Sequence, residues 1–233
     1  MAEESEENQV EVSEEVGVAK EEKAWIPKTQ LGRDVLAGKI KSIDEILESS
    51  KKILEPEIVD YLLPGLKEEF ILIGGRTGKG GGAQRIPIRI TARVTKSGRR
   101  FGMSAFMVVG NEDGYVGIGK GVSVDARKAV EKARKRAKMN IIKVLRGCGS
   151  WECGCGMPHS IPFKTEGKCG SVRVVLMPAP KGVGLVADDE SKKILRLAGI
   201  KDAWVKTFGN TSTHINLITA IYRALKNLYV YQR

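Results

Sequence analysis

The chain is poor in the residues that catalysis and membranes require. It has two histidines, His159 and His214, and neither sits in a recognisable triad or metalloprotease motif, so an enzymatic role finds little support. Aromatic residues make up 6% of the chain, and no strand carries the aromatic pattern of sheets that stack on single-stranded RNA. No run approaches the roughly 20 apolar residues of a membrane span, and the first residues are acidic where a secretory signal would place positive charge. Both absences imply a soluble, cytosolic protein. The cysteines include no Cys-x-x-Cys pair, which argues against a thioredoxin-like redox role.

What the chain has in excess is positive charge. The formal net charge is +11 over 233 residues. Residues 1–24 hold nine Glu against Lys20 and Lys23, so the remainder is more basic still. A body of that kind seeks a polyanion. The leading 1–24 segment has no apolar period that could offset the entropy of ordering, and reads as an acidic flexible tail.

Residues 25–69 read as a helical extension. Ile40, Ile43, Ile46 and Leu47 recur at helical spacing behind Ser42, and Pro56 and Pro64-Gly65 bracket a second short helix carrying Ile58, Val59, Leu62 and Leu63. A short apolar run at 70–73 then leads into the glycine-rich segment 74–82. Its Gly78-Lys79 pair suggests a phosphate-binding loop. The spacing is one residue short of that motif, Gly80 stands where a hydroxyl is needed, and a strand pattern follows where a helix should, so a basic loop against RNA or a linker fits better.

From Ile86 to Val94 every second residue is apolar, with Arg89, Thr91 and Arg93 between, which predicts a half-buried strand. The alternation resumes at Phe101, so a hairpin should present Lys96, Arg99 and Arg100 at its tip. A turn at 110–114 leads to a third strand at 115–118. A helix is expected over 123–145, capped by Ser123, with Ala126, Val130, Ala133, Ala137, Ile141 and Val144 inward. Its other faces carry Arg127, Lys128, Lys132, Arg134, Lys135, Arg136, Lys138 and Lys143, and only Asp125 and Glu131 lie near enough along the helix to neutralise them. This β-β-β-α order suits a scaffold that lies on the phosphates of structured RNA.

A strand at 171–177, a helix around 191–197, a strand at 204–208 and a helix carrying Ile218, Ile221, Leu225 and Leu228 make a second α/β unit. The candidate RNA contacts are Lys79, Arg85, Lys96, Arg99, Arg100, Arg127, Lys128, Arg134, Lys135, Lys138 and Lys181. Between the two units lie Cys148, Cys153 and Cys155. With Cys169, or with His159 as an alternative fourth ligand, they could surround a structural zinc, or they could be reduced thiols packed in a small core.

Four segments, "RVTKSGRRFGMSAFMVVGNEDGYVGIGKG", "VDARKAVEKARKRAKMNIIKV", "GKCGSVRVVLMPAPKGVGLV" and "LAGIKDAWVKTFGN", carry a close resemblance to the universal family of small-subunit ribosomal protein five, in its archaeal and eukaryotic form. The resemblance implies an α+β fold: a double-stranded-RNA-binding-like β-β-β-α domain over 70–147, then a C-terminal α/β domain of left-handed βαβ type over 148–233. It further implies a non-enzymatic constituent of the small subunit, held on ribosomal RNA near the decoding region and the site where messenger RNA enters. Ribosomal proteins four and eight of the small subunit would be its neighbours, and assembly and accuracy its roles. Readings outside the family are a free double-stranded-RNA-binding protein and a nucleotide-dependent RNA-acting enzyme using the 74–82 loop.

The acidic segment has no apolar period to bury against the body. Deleting residues 1–24 should leave the melting temperature nearly unchanged in a thermal unfolding scan, and a loss of several degrees would show that the segment docks.

Overall fold

The computed structural model describes residues 25–49, 51–77 and 83–230. The acidic 1–24 segment and Lys79, with the loop around it, lie outside the described residues. Among the described residues the fold is mixed α+β: a five-stranded sheet, a four-stranded sheet and a small two-stranded hairpin, with six helices packed among them.

The extension forms α1 (Gln30–Leu36), α2 (Ile43–Glu48) and α3 (Pro56–Leu62). The sequence pattern indicated α2 and α3 and missed α1, whose start is fixed by the Thr29 hydroxyl accepting from the Gly32 amide at 3.1 Å. Val35, Ile43, Ile46, Ile53, Ile58 and Val59 bury one another and close on Ile141 and Tyr115. Glu55 is the polar pin of this layer. Its carboxylate accepts from Trp25 Nε1 at 3.0 Å, Lys28 N at 2.9 Å and Thr29 N at 2.6 Å. Burial pushes its pKa up, but the hydrogen bonds from Thr29, Lys28 and Trp25 outweigh that and hold it below 4.5.

The first sheet is built from β1 (Lys67–Phe70), β4 (Ile88–Thr95), β5 (Gly98–Gly110), β6 (Tyr115–Ser123) and β7 (Ile141–Lys143); β2 (Gly74–Thr77) and β3 (Ala83–Ile86) pair separately. The strand expected over 86–94 is present as β4, whereas Gly74–Thr77, read from the sequence as part of a loop, pairs with Ala83–Ile86 as β2 and β3. All pairings in the sheet are antiparallel, with β5 shared by β1 and β4 on one side and β6 on the other.

The helix α4 (Ala126–Met139) crosses this sheet. It is shorter than expected at both ends. Ser123 belongs to β6, Asp125 precedes the helix without capping it by its side chain, and Ile141 lies in β7, paired with Gly117. The 141–144 stretch keeps its apolar pattern but offers its backbone to β6, and that pairing outweighs helical continuation beyond Asn140.

Packing of α4 rests on matched periods. Ala129, Ala133 and Ala137 are fully buried. They lie on Gly121, Gly119 and Gly117 of β6, where a Cβ would overlap the carbonyl oxygens of those same alanines. Four helical residues rise about 6 Å and two strand residues about 6.7 Å, so the two rows stay in step for three contacts.

The second sheet runs β10 (Leu185–Val186), β11 (Ala203–Phe208), β9 (Val172–Pro178), β8 (Thr165–Cys169), with β10 parallel to β11 and the other pairs antiparallel. Helix α5 (Asp189–Leu197) joins the parallel pair, and α6 (His214–Val230) covers β8 and β9. Strand β8 had no sequence signal, because its inward positions are Thr165 and Gly167 rather than bulky apolar residues. One continuous core holds Phe106, Val108 and Val116 of the first sheet with Val174, Leu176, Ile194, Leu217 and Ile221 of the second half.

Adding one methyl at Gly119 should separate α4 from β6. Gly119→Ala is expected to lower the unfolding free energy by about 1–3 kcal/mol, as overpacking does, while Gly154→Ala, where a Cβ meets nothing, should be silent in the same denaturant titration. The depressed Glu55 pKa fixes a pH window as well. Its stabilisation is complete above the unfolded value near 4.5 and is lost as pH falls through the lower folded value. Amide exchange at Lys28 and Thr29 should accelerate across that acid window, and Glu55→Ala should make it fast at neutral pH; protection surviving the substitution would refute the pin.

Candidate nucleic-acid interface and thiol cluster

Strands β4 and β5 run beyond the sheet as a two-stranded ribbon, because β6 ends opposite Met103. Lys96 and Ser97 make its two-residue turn, Gly98 taking a positive φ of 107° and Thr95 Oγ1 donating to Gly98 O at 2.8 Å. Lys96, Arg99 and Arg100 are exposed around this tip, as the alternation implied. The expected half-burial is corrected. Ile90 is 56% exposed, Val94 75% and Phe101 51%, since the ribbon leaves the body and has no layer on either face.

The cations of α4 are less free than a count along the helix implies. Arg134 Nε lies 2.6 Å from Glu68, Lys138 Nζ lies 2.6 Å from Asp60 and 3.7 Å from Glu68, and Lys128 pairs with Asp125 at 3.0 Å. Lys143 meets Asp44 at 2.7 Å, and the same carboxylate accepts from Tyr115 OH at 2.7 Å. Burial and that Asp44 bond push the Tyr115 phenol up. Asp44 and Asp60 of the extension, with Glu68 of β1, therefore supply partners far away in sequence. Lys132, Arg136 and Asn140 turn the other way and donate to the edge carbonyls of Val122, Lys120 and Ile118, again at a four-to-two spacing. Among the described residues of α4, Arg127 and Lys135 have no such partner.

Arg85 is exposed at the end of β3 and lines a cavity of about 500 Å³ with His214 at the start of α6. Burial first, then the Arg85 charge, lowers the His214 pKa. Lys181 borders a larger groove of about 910 Å³, where Arg146, Lys192, Arg196 and Lys201 also converge. Those four were missed in the sequence. They come from separate loops and from α5, and no local run announces them.

The thiol cluster takes a definite shape. Cys153 Sγ lies 3.3 Å from Cys155 Sγ and 3.8 Å from His159 Nε2, and Cys155 Sγ lies 3.6 Å from Cys148 Sγ. All four donor atoms fall within 4.8 Å of one another, a set that could hold a metal ion. His159 takes the fourth place and Cys169 is corrected out of it. Cys169 ends β8, where its thiol faces Asn216 of α6 at 3.8 Å, and β-pairing of Cys169 with Val172 keeps it there. The Cys153 pKa is lowered to about 6 by backbone N–H groups of Lys181 and Cys155 and by the Cys155 side chain, whereas burial and the neighbouring thiols raise that of Cys148.

A chain with these two packed halves, one of them basic and armed with a projecting ribbon, matches a family of ribosomal proteins at both places. Residues 83–145 match the family described as ribosomal protein S5, N-terminal domain, and residues 167–233 that described as ribosomal protein S5, C-terminal domain. The chain belongs to the ribosomal protein S5 family. It is 56% identical over 204 residues to small ribosomal subunit protein uS5 of Nanoarchaeum equitans, covering 88% of this chain and 87% of that one. The protein of the same name from Thermofilum pendens is 53% identical over 205 residues, covering 88% and 94%, and that from Methanocaldococcus jannaschii 52% identical over 204 residues, covering 88% and 87%.

The pairing of Lys138 has a measurable consequence. Its side chain is 13% exposed between Asp60 and Glu68. Lys138→Ala should therefore loosen the extension, seen as faster amide exchange in α3, and exchange unchanged from the parent chain would contradict the bridging role.

Proposed function

We propose that this chain is a structural constituent of the small ribosomal subunit, bound to ribosomal RNA through its phosphates and performing no catalytic step. Family membership carries the reading, and the exposed cations of the ribbon tip and of α4 support it. An A-form RNA helix offers shape, phosphates and 2′-hydroxyls rather than readable base edges, so a rigid surface of separated cations is the appropriate complement.

The finer assignments follow from the same resemblance. The β4-β5-β6-α4 order supports a double-stranded-RNA-binding-like module, and the parallel β10–α5–β11 unit supports the βαβ description of the C-terminal half. Arg85, Lys96, Arg99, Arg100, Arg127, Lys135 and Lys181 remain the contacts of choice. Arg134, Lys138 and Lys128, already paired, serve RNA only by leaving or sharing their carboxylates. The ribbon would lie toward the decoding region and the point where messenger RNA enters, beside ribosomal proteins four and eight of the small subunit. Among the described residues no helix is long and apolar enough to cross a membrane, which is compatible with a ribosome in the cytoplasm.

Binding of the full chain to structured small-subunit RNA across a salt series tests this. Each contacting cation removed should reduce the log–log slope by about 0.7–0.9, so Arg99→Ala, Arg100→Ala and Lys135→Ala combined should flatten it by about 2.1–2.7. Lys138→Ala should change it little. A slope indifferent to the triple change would overturn the electrostatic interface, and failure of the chain to sediment with small subunits would overturn the function itself.

A further inference from the structure

We propose that Cys148, Cys153, Cys155 and His159 bind one Zn²⁺, which fastens the 147–160 loop to the second sheet, with Asp202 as a positioning residue for the histidine. The inference goes beyond the RNA reading and stands independently of it.

Distances carry the first step. Zinc held tetrahedrally at about 2.3 Å from sulfur and 2.0–2.1 Å from nitrogen sets its ligand atoms about 3.5–3.8 Å apart. The gaps found are 3.3, 3.6 and 3.8 Å. Disulfide chemistry explains them less well, since three thiols cannot all pair with one another. Packing explains them less well too. Free cysteine is among the most buried residue types when it serves as a small apolar filler, yet Cys155 is exposed and Cys148 and Cys153 are only partly covered.

Asp202 supplies the second step. Its Oδ2 lies 2.8 Å from His159 Nδ1, and both side chains are 6% exposed. A carboxylate can only accept there, so Nδ1 carries the proton and the Nε2 lone pair faces the thiols. A carboxylate behind a ligating histidine in this way orients the ring and raises its basicity. Asp202 is itself fixed, its Oδ1 accepting from Gly182 N at 3.1 Å and Gly184 N at 2.8 Å.

The surroundings supply the third. Three thiolates and one Zn²⁺ leave a net negative charge, and His159 and Asp202 border the groove that also gathers Arg146, Lys181, Lys192, Arg196 and Lys201. His159 O accepts from Lys201 N at 2.9 Å and Asp202 N at 3.1 Å, so a metal on His159 would join three loops at one point. Soft thiolates with one imidazole in a tetrahedral array select zinc among the common divalent ions.

The test uses the full chain, expressed with reducing agent and purified without chelator. Elemental analysis should find close to one zinc per chain, retained in Cys169→Ser and lost in Cys153→Ser and His159→Ala. Should those two variants misfold, Co²⁺ titrated into the reduced, zinc-stripped parent chain should still give the sulfur-to-metal charge-transfer and d–d bands of a tetrahedral thiolate site. Asp202→Asn should weaken zinc about 10–100-fold in competition with a chromogenic chelator; unchanged affinity would remove Asp202 from the proposal. Less than about a tenth of an equivalent of zinc together with no tetrahedral cobalt spectrum would overturn the site, as would iron in its place or full zinc retention in His159→Ala.

Discussion

The step between a helix and a strand governs this molecule. Alanines four apart on α4 meet glycines two apart on β6, and the contact is backbone against backbone with no side chain between. Close approach of that kind brings the helix within reach of the strand's free edge, where Lys132, Arg136 and Asn140 satisfy the carbonyls that a further strand would otherwise take. The same device recurs in the second half, where a Cβ at Gly167 of β8 would overlap the carbonyl of Ala220 in α6. With small residues at both seams, the larger apolar side chains are left to fill the space between the two sheets.

Charge is arranged by the same economy. The helix that packs through alanine has its wide outer surface covered in Lys and Arg, and a bare surface of that kind would repel itself. Carboxylates from the extension and from β1 relieve it: Asp60 and Glu68 stand over one end of α4, and Asp44 ties Lys143 to Tyr115. Exposed pairs such as these are worth at most about 1 kcal/mol each, but they lie at the rim of an apolar layer that already holds the extension in place. Their effect is to divide the cations into those that belong to the fold and those left for an external anion.

Much of this was legible from residue order, and the failures share a cause. Alternation located the β4–β5 hairpin and its tip, and the i, i+4 apolar rows located α4 and α6, because period depends only on local geometry. Burial on the ribbon could not be read that way. Ile90 and Val94 alternate as half-buried residues do, yet more than half of each residue stays exposed. Counting charges along α4 failed for the converse reason, its partners lying about 70 residues upstream. The cysteine spacing allowed either Cys169 or His159 to complete the cluster. Only the fold, which sends Cys169 into β8 and brings Asp202 behind His159, separates the two.

The projecting ribbon divides the free energy of the protein into two accounts. A two-stranded ribbon without a core is marginally stable by itself, and opening of residues 89–101 need not await unfolding of the body. Its Ile90, Val94 and Phe101 leave more than half of their surface in water in the isolated chain. Whatever apolar area they can hide, at roughly 25 cal/mol per Å², is released only when another surface covers them. Covering that area would thus add free energy to an association of the arm without drawing on the fold of the body.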